Sequence, residues 1–251
     1  MNGTERSGDA TLQHGTDAGP APGDPNKGDG DPSDEPRWYS RGYLPHFESA
    51  SVVQHVTVHL ADSLPKSVVE RLDEALKSLP VEKQDSERRK RVEAWMEAGH
   101  GSCALGEPII ADMVQKSLLA FDGQRYRLLA WVVMPNHIHV LFQPLNGWTM
   151  AKIVASWKSF TGRRISVFLT RSRAGVQTDS PKKRIWHREY WDRYIRDERH
   201  FNQVMTYIHL NPVKAKLVAR AEDWPWSSAG VPGMATLQRG GPKRHDSGET
   251  R

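Results

Sequence analysis

Apolar residues along the chain recur first with the period of a strand, then with that of a helix, and turn residues separate the two kinds of segment. Residues 52–60 are β-branched and partly alternating, which predicts a strand. Ser63 and Pro65 then open a predicted helix to about residue 79, with Val68, Val69, Leu72, Ala75, Leu76 and Leu79 at helical spacing. Residues 81–98 are charged and also read as helical, an insertion packed loosely or not at all. An amphipathic helix over 109–121 ends at Asp122-Gly123. Two strands follow in 125–142, broken at Met134-Pro135-Asn136, because proline cannot donate to a central ladder. Residues 150–169 form a helix with Ala151, Ile153, Val154, Trp157, Ile165 and Phe168 as its apolar positions. A final strand lies within 186–195, and a helix runs over 197–209. Asn211-Pro212 is expected to interrupt that helix, since the proline ring disfavours helical geometry in the residue before it. A short helical turn is expected to resume over 213–218.

This succession is the ferredoxin-like order with an added C-terminal helix. The predicted class is α+β: an antiparallel sheet with helices on one face, and a last helix carrying Tyr207. The other sheet face would be open to a ligand. The predicted domain covers 37–230, with 81–98 as its charged helical insertion and 231–251 as a loose polar tail.

Composition changes the picture at the N-terminus. Only 37% of the 251 residues are hydrophobic, and residues 1–36 are nearly free of large apolar groups. That segment cannot bury enough surface to offset its ordering entropy, so it is predicted to be disordered. It holds eight acidic and two basic residues, so the remainder carries +11 against +5 for the whole chain. A basic domain favours polyanions, of which nucleic acid is the commonest. A cationic solvated surface is the plainer reading, and charge alone does not choose. Cys103 is the only cysteine, which rules out an internal disulfide and a cysteine-based zinc site. There is no apolar run of transmembrane length and no signal-peptide pattern. The expectation is a cytoplasmic, nucleoid-associated protein without a membrane partner.

Two pairs of residues carry candidate chemistry. His137 and His139 are two apart on a predicted strand, so their imidazoles share one face. Two neutral imidazoles at that spacing can reach one divalent metal, which needs further ligands. The plain alternative is two ordinary strand histidines. Tyr207 and Asn211 are four apart and share a face if helical geometry persists through Asn211. An amide oxygen can complete a hard metal's shell, and a phenol beside it can attack an activated phosphorus. Otherwise Tyr207 packs its ring in the core and Asn211 caps the helix.

His137-Ile138-His139, preceded by Met134-Pro135-Asn136, resembles the His-hydrophobe-His signature of the HUH endonucleases. Tyr207-Ile208-His209-Leu210-Asn211-Pro212-Val213-Lys214-Ala215-Lys216-Leu217-Val218 resembles the tyrosine segment of the REP-associated tyrosine transposases. Segments 38–45, 55–65 and 223–228 agree with that family in order. The resemblance implies a metal-dependent endonuclease and strand transferase acting on single-stranded hairpin DNA. It implies Mg²⁺ or Mn²⁺ on His137, His139 and Asn211, and Tyr207 as the nucleophile that takes the 5′ end as a phosphotyrosine. Two departures stand out: the 81–98 stretch with the acidic N-terminus, and Lys216, where a glycine is expected. Neither is expected to touch the proposed ligands.

Lys152, Lys158, Arg163, Arg164, Lys182, Lys183 and Arg184 are the candidates for phosphate contacts, which position a substrate without reading it. Trp157 reads as core, whereas Trp186 is open to stacking on an unpaired base. The protein would act as a monomer or homodimer. A non-catalytic single-stranded nucleic-acid-binding protein and a water-activating metal phosphoesterase are the rival readings, and neither needs Tyr207.

Overall fold

Residues 37–40, 45–48, 52–172 and 184–232 are described by the computed structural model. The short strands β1 (Arg37–Ser40) and β2 (Pro45–Glu48) pair with each other as a separate two-stranded unit. The main sheet is built from β3 (Gln54–His59), β4 (Tyr126–Val133), β5 (His137–Pro144) and β6 (Trp191–Tyr194). Its order is β4-β5-β3-β6, antiparallel throughout, which is the ferredoxin-like arrangement expected from the sequence.

Strand alternation sorts the side chains into two layers. Val56 and Val58 of β3, with Ile138, Val140 and Phe142 of β5, turn to one face. There α3 (Pro108–Leu119) and α4 (Met150–Ser172) close the main core with Ile110, Val114, Leu118, Ile153, Val154 and Ile165. Trp157 belongs to this core, and its indole nitrogen donates to the buried Tyr126 hydroxyl at 3.0 Å. That hydroxyl in turn donates to the Leu118 carbonyl at 2.7 Å, so neither polar group is buried unpaired.

The opposite face is not bare. A register shift between Leu128 and Ala130 inserts one extra residue into β4. After this bulge Leu129, Ala130 and Val132 face away from the main core and meet Val204, Met205 and Ile208 of α5 (Glu198–Lys214). Asp197 caps α5 by accepting from the His200 amide at 2.7 Å. The tyrosine-bearing helix therefore lies across the second face, while α3 and α4 keep the first.

Several expectations need correction. Residues 81–98 are not loosely attached. α2 (Val81–Glu97) packs with α1 (Lys66–Leu76) around buried Leu64, Val92 and Met96, with Trp95 and Trp191 against them. Helix α1 begins after Pro65, and Ser63 does not cap it, because the Ser63 hydroxyl donates to the Leu60 carbonyl at 2.8 Å. The last strand does lie within 186–195, at Trp191–Tyr194, and Trp186 bridges Leu60 outside it.

The largest difference is that α5 continues through Asn211-Pro212 to Lys214. Proline removes only the hydrogen bond to the carbonyl four residues back, here Ile208. Asn211 and Pro212 are buried on the same helix as Met205 and Ile208, and that packing outweighs the local preference. The helix then closes with two bonds, Lys216 N–H to the Val213 carbonyl and Leu217 N–H to the Pro212 carbonyl, both at 2.9 Å. Lys216 sits at φ 57° to make that closure, which is the left-handed position glycine favours.

The predicted disordered tail over 1–36 and nearly all of the predicted polar tail lie outside the described residues. Among the described residues no helix is long and apolar enough to cross a membrane.

Candidate active site

His55, Thr57 and His59 of β3 share the second sheet face with His137 and His139 of β5, in the register Thr57 opposite His139 and His59 opposite His137. His137 and His139 are each only 1% exposed. Asn136 fixes the first of them. Its Nδ2 donates to the carbonyls of Met96 and His100, both at 3.0 Å. Its Oδ1 is therefore the atom that meets His137 Nδ1 at 2.7 Å, and it accepts the proton carried there. That tautomer leaves a lone pair on His137 Nε2. His137 Nε2 faces His139 Nε2 at 3.1 Å. His139 Nδ1 lies 2.9 Å from Thr57 Oγ1 and 3.3 Å from His55 Nε2. When His139 donates from Nδ1 to Thr57, two lone pairs confront each other, a repulsion that a shared cation would relieve.

Burial keeps these rings neutral, as metal ligation requires. It lowers the His137 pKa to about 3. It also holds His139 well below the ordinary value, with His137, His55 and Lys214 adding to the effect.

Tyr207 brings its hydroxyl to 3.4 Å from His139 Nε2. The same hydroxyl donates to Glu97 Oε1 of α2 at 3.3 Å. Burial first, then the carboxylates of Glu93 and Glu97, push the phenol well above its usual range. Asn211, one turn further along the unbroken helix, acts in the opposite direction on that phenol. Its amide is 1% exposed, and neither Oδ1 nor Nδ2 meets hydrogen-bond geometry with any partner. This buried amide acts on the Tyr207 phenol, whose hydroxyl meets His139, and an amide oxygen is a donor of the kind a hard cation takes. Among the described residues, no group of three or more His, Cys, Asp or Glu is placed to hold a metal.

Two carboxylates and one amide of this site escaped sequence reading. Glu93 and Glu97 lie in the stretch judged to be remote, and nothing local marks them. Asn136 was visible only as a turn residue, although its adjacency to His137 is a usable signal. A cavity of about 260 Å³ opens between Glu93, His55, Thr57, His139 and Tyr207.

The basic residues separate into three groups. Lys158, Arg163 and Arg184, joined by Arg171 and Arg188, line a groove of about 990 Å³ between α4 and the segment before β6. Lys158 Nζ donates to the Arg188 carbonyl at 2.7 Å, and burial lowers its pKa to about 8. Arg164 turns away and lies over the Phe160 ring at 4.3 Å, and Lys152 is exposed outside this groove. Lys182 and Lys183 lie outside the described residues. Trp186 is buried, with its indole donating to Thr161 at 2.8 Å, so it serves packing and not base stacking. The groove belongs to the α4 layer. His187 connects it to the histidine face by stacking on His59 with ring centroids 4.4 Å apart.

Residues 111–211 span β4, the histidine strand β5, α4, β6 and α5 as far as Asn211, and they match one family over that whole length. That family is Transposase IS200 like. The IS200-like segment thus begins in α3 and ends on the amide proposed above as a ligand. The REP-associated tyrosine transposase of Escherichia coli (strain K12) is 30% identical over 117 residues, covering 46% of this chain and 62% of that protein. A Haemophilus influenzae protein, given the same name provisionally, is 32% identical over 104 residues, covering 41% of this chain and 58% of its own length. The chain therefore spans about three fifths of these relatives. A solved structure titled as a REP-associated tyrosine transposase bound to a REP hairpin aligns with 85% of this chain and 96% of that one, at 18% identity and a TM-score of 0.44. The resemblance read from the two motifs is borne out by the family match over residues 111–211 and by the two relatives.

Proposed function

We propose that this protein is a metal-dependent single-stranded DNA endonuclease and strand transferase that acts on hairpin DNA of the REP kind, in the cytoplasm, through a phosphotyrosine. The observation that carries the reading is the convergence of His137 Nε2, His139 Nε2 and the Tyr207 hydroxyl, with separations of 3.1 and 3.4 Å. What supports the substrate is the name shared by the relatives and the cationic groove on α4.

His137, His139 and Asn211 would hold Mg²⁺ or Mn²⁺, which supplies Lewis-acid polarisation of the scissile phosphate. The chain's own residues do the rest. Tyr207 rests as a protonated phenol, kept so by burial and by Glu93 and Glu97. As its oxygen attacks phosphorus, its proton leaves toward those carboxylates. The bond from phosphorus to the 3′ oxygen breaks, and that oxygen takes up a proton and departs as a free hydroxyl. The 5′ phosphate stays on Tyr207. A 3′ hydroxyl from another end reverses the step and rejoins strands. One phosphoester replaces another at each stage, so no nucleotide cofactor is consumed.

A denaturing covalent-adduct assay tests this. Purified protein is incubated with labelled single-stranded hairpin DNA and Mn²⁺, alongside Tyr207→Phe. Label at protein size is expected with the wild type, and none with Tyr207→Phe or with chelator present. Cleavage by the Phe variant would remove Tyr207 as nucleophile. Cleavage without an adduct would favour a water-activating phosphoesterase, and DNA binding without cleavage a binding protein.

A further inference from the structure

Tyr207 stands on a boundary between two kinds of charge. On one side are the carboxylates of α2, with Glu97 3.3 Å from the hydroxyl. On the other, the outer face of α5 forms an open groove of about 720 Å³ that reaches Tyr207. Its lining runs from Glu198 and Arg199 at the start of α5 through Asn202, Gln203 and Thr206 to Lys214, placed at intervals that put them on one side of the helix. Lys214 is exposed, two turns beyond Tyr207, and its ammonium lies 4.8 Å from the centre of the Tyr207 ring. Its charge also reaches His139.

These placements decide the direction from which a phosphodiester can come. An anion approaching past Glu93 and Glu97 meets like charge in a partly desolvated site, which costs several-fold more than the same repulsion in water. An anion approaching along α5 meets two cations, Arg199 and Lys214, and three neutral hydrogen-bonding side chains, and the one carboxylate of the groove, Glu198, stands at the start of the helix, nine residues before Tyr207. Resting on the phosphotyrosine reading, we infer that the α5 groove receives the single strand to be cut, and that Lys214 contacts a non-bridging oxygen of the phosphate that Tyr207 attacks. The ammonium then offsets the negative charge that builds on phosphorus oxygens as the Tyr207 oxygen bonds and the 3′ oxygen leaves. Asn202, Gln203 and Thr206 provide donors and acceptors for the flanking nucleotides. The groove is thus a binding track separate from the basic groove on α4, which lies on the other layer of the sheet.

The test uses the full chain and a labelled hairpin oligonucleotide with a single-stranded 5′ flank. Binding is measured as a function of salt for Lys214→Ala, Lys214→Arg and wild type, each in the Tyr207→Phe background so that nothing is cut. Single-turnover cleavage with Mn²⁺ is measured for the same Lys214 variants with Tyr207 intact. The Ala variant is expected to lose about one unit of the log–log salt slope. It should also cut roughly 100-fold more slowly, the loss typical for one donor at a developing oxyanion. The Arg variant, which keeps the charge, should retain the slope and most of the rate. An unchanged slope in the Ala variant overturns the inference whatever the activity, as does a wild-type cleavage rate. A lost slope with no adduct from wild type supports the groove and overturns the phosphotyrosine reading instead, so the two failures are distinguishable.

Discussion

Lys216 shows how a single residue can hold strain for the sake of its neighbours. It adopts φ 57° so that its own N–H and that of Leu217 can close the carbonyls of Val213 and Pro212 at the end of α5. A side chain with a Cβ costs about 1–2 kcal/mol in that conformation, and glycine avoids the cost at the expense of a more flexible unfolded chain. Lys216→Gly should therefore raise the unfolding free energy by about 0.5–1 kcal/mol in urea titration. An unchanged or lowered midpoint would show that Lys216 makes a compensating contact. The departure from the expected glycine was legible in the sequence, but its meaning was not, because a left-handed residue is defined by the turn it closes. The same holds at Asn136. Its amide is aimed by the carbonyls of Met96 and His100, which lie some 40 and 36 residues back in the chain. No local pattern contains that information.

At the scale of elements, α2 and α5 depart from their local pattern, for opposite reasons. The charge of α2 hid a narrow apolar stripe, Val92 and Met96, that is buried against the α1 side of the site. The proline in α5 advertised a break that packing overrides. Both outcomes matter to the chemistry. Continuity of α5 places Asn211 one turn from Tyr207, and docking of α2 brings Glu93 and Glu97 to the phenol. Glu93→Gln with Glu97→Gln should lower the Tyr207 pKa, while burial still holds it above the ordinary tyrosine value. The measurement is tyrosinate absorbance against pH, as a difference from the same protein carrying Tyr207→Phe. If the double variant titrates like wild type, α2 does not act on the nucleophile.

The whole molecule concentrates buried histidines on one sheet face, and that should govern its response to acid. His137 has a folded pKa of about 3 against 6.5 when exposed. Its folded pKa is depressed, so below pH 6.5 the unfolded chain takes up a proton that the folded one refuses. Stability is then full above about pH 6.5 and falls as the pH drops toward 3, by roughly 2 kcal/mol at pH 5 from this residue. His59 and His139 are shifted in the same direction by burial and add to the effect. The melting temperature in chelator should fall steeply between pH 7.5 and pH 5, and a flat profile would show that these rings are not neutral in the fold.

The sequence by itself determined the order of strands and helices, the common face of His137 and His139, and the pairing of a tyrosine with an amide four residues on. Those are properties of local period and spacing, which survive without knowledge of any partner. Tertiary structure alone decided that β4 bulges to serve two faces, that Asn211 stays helical, and that Asn136 and the α2 carboxylates reach the site. It also divided the predicted phosphate contacts, gathering Lys158, Arg163 and Arg184 and turning Arg164 and Lys152 elsewhere. The reason is physical. Such outcomes depend on packing and hydrogen bonds between segments distant in the chain, whose energies exceed the local preferences that a sequence displays.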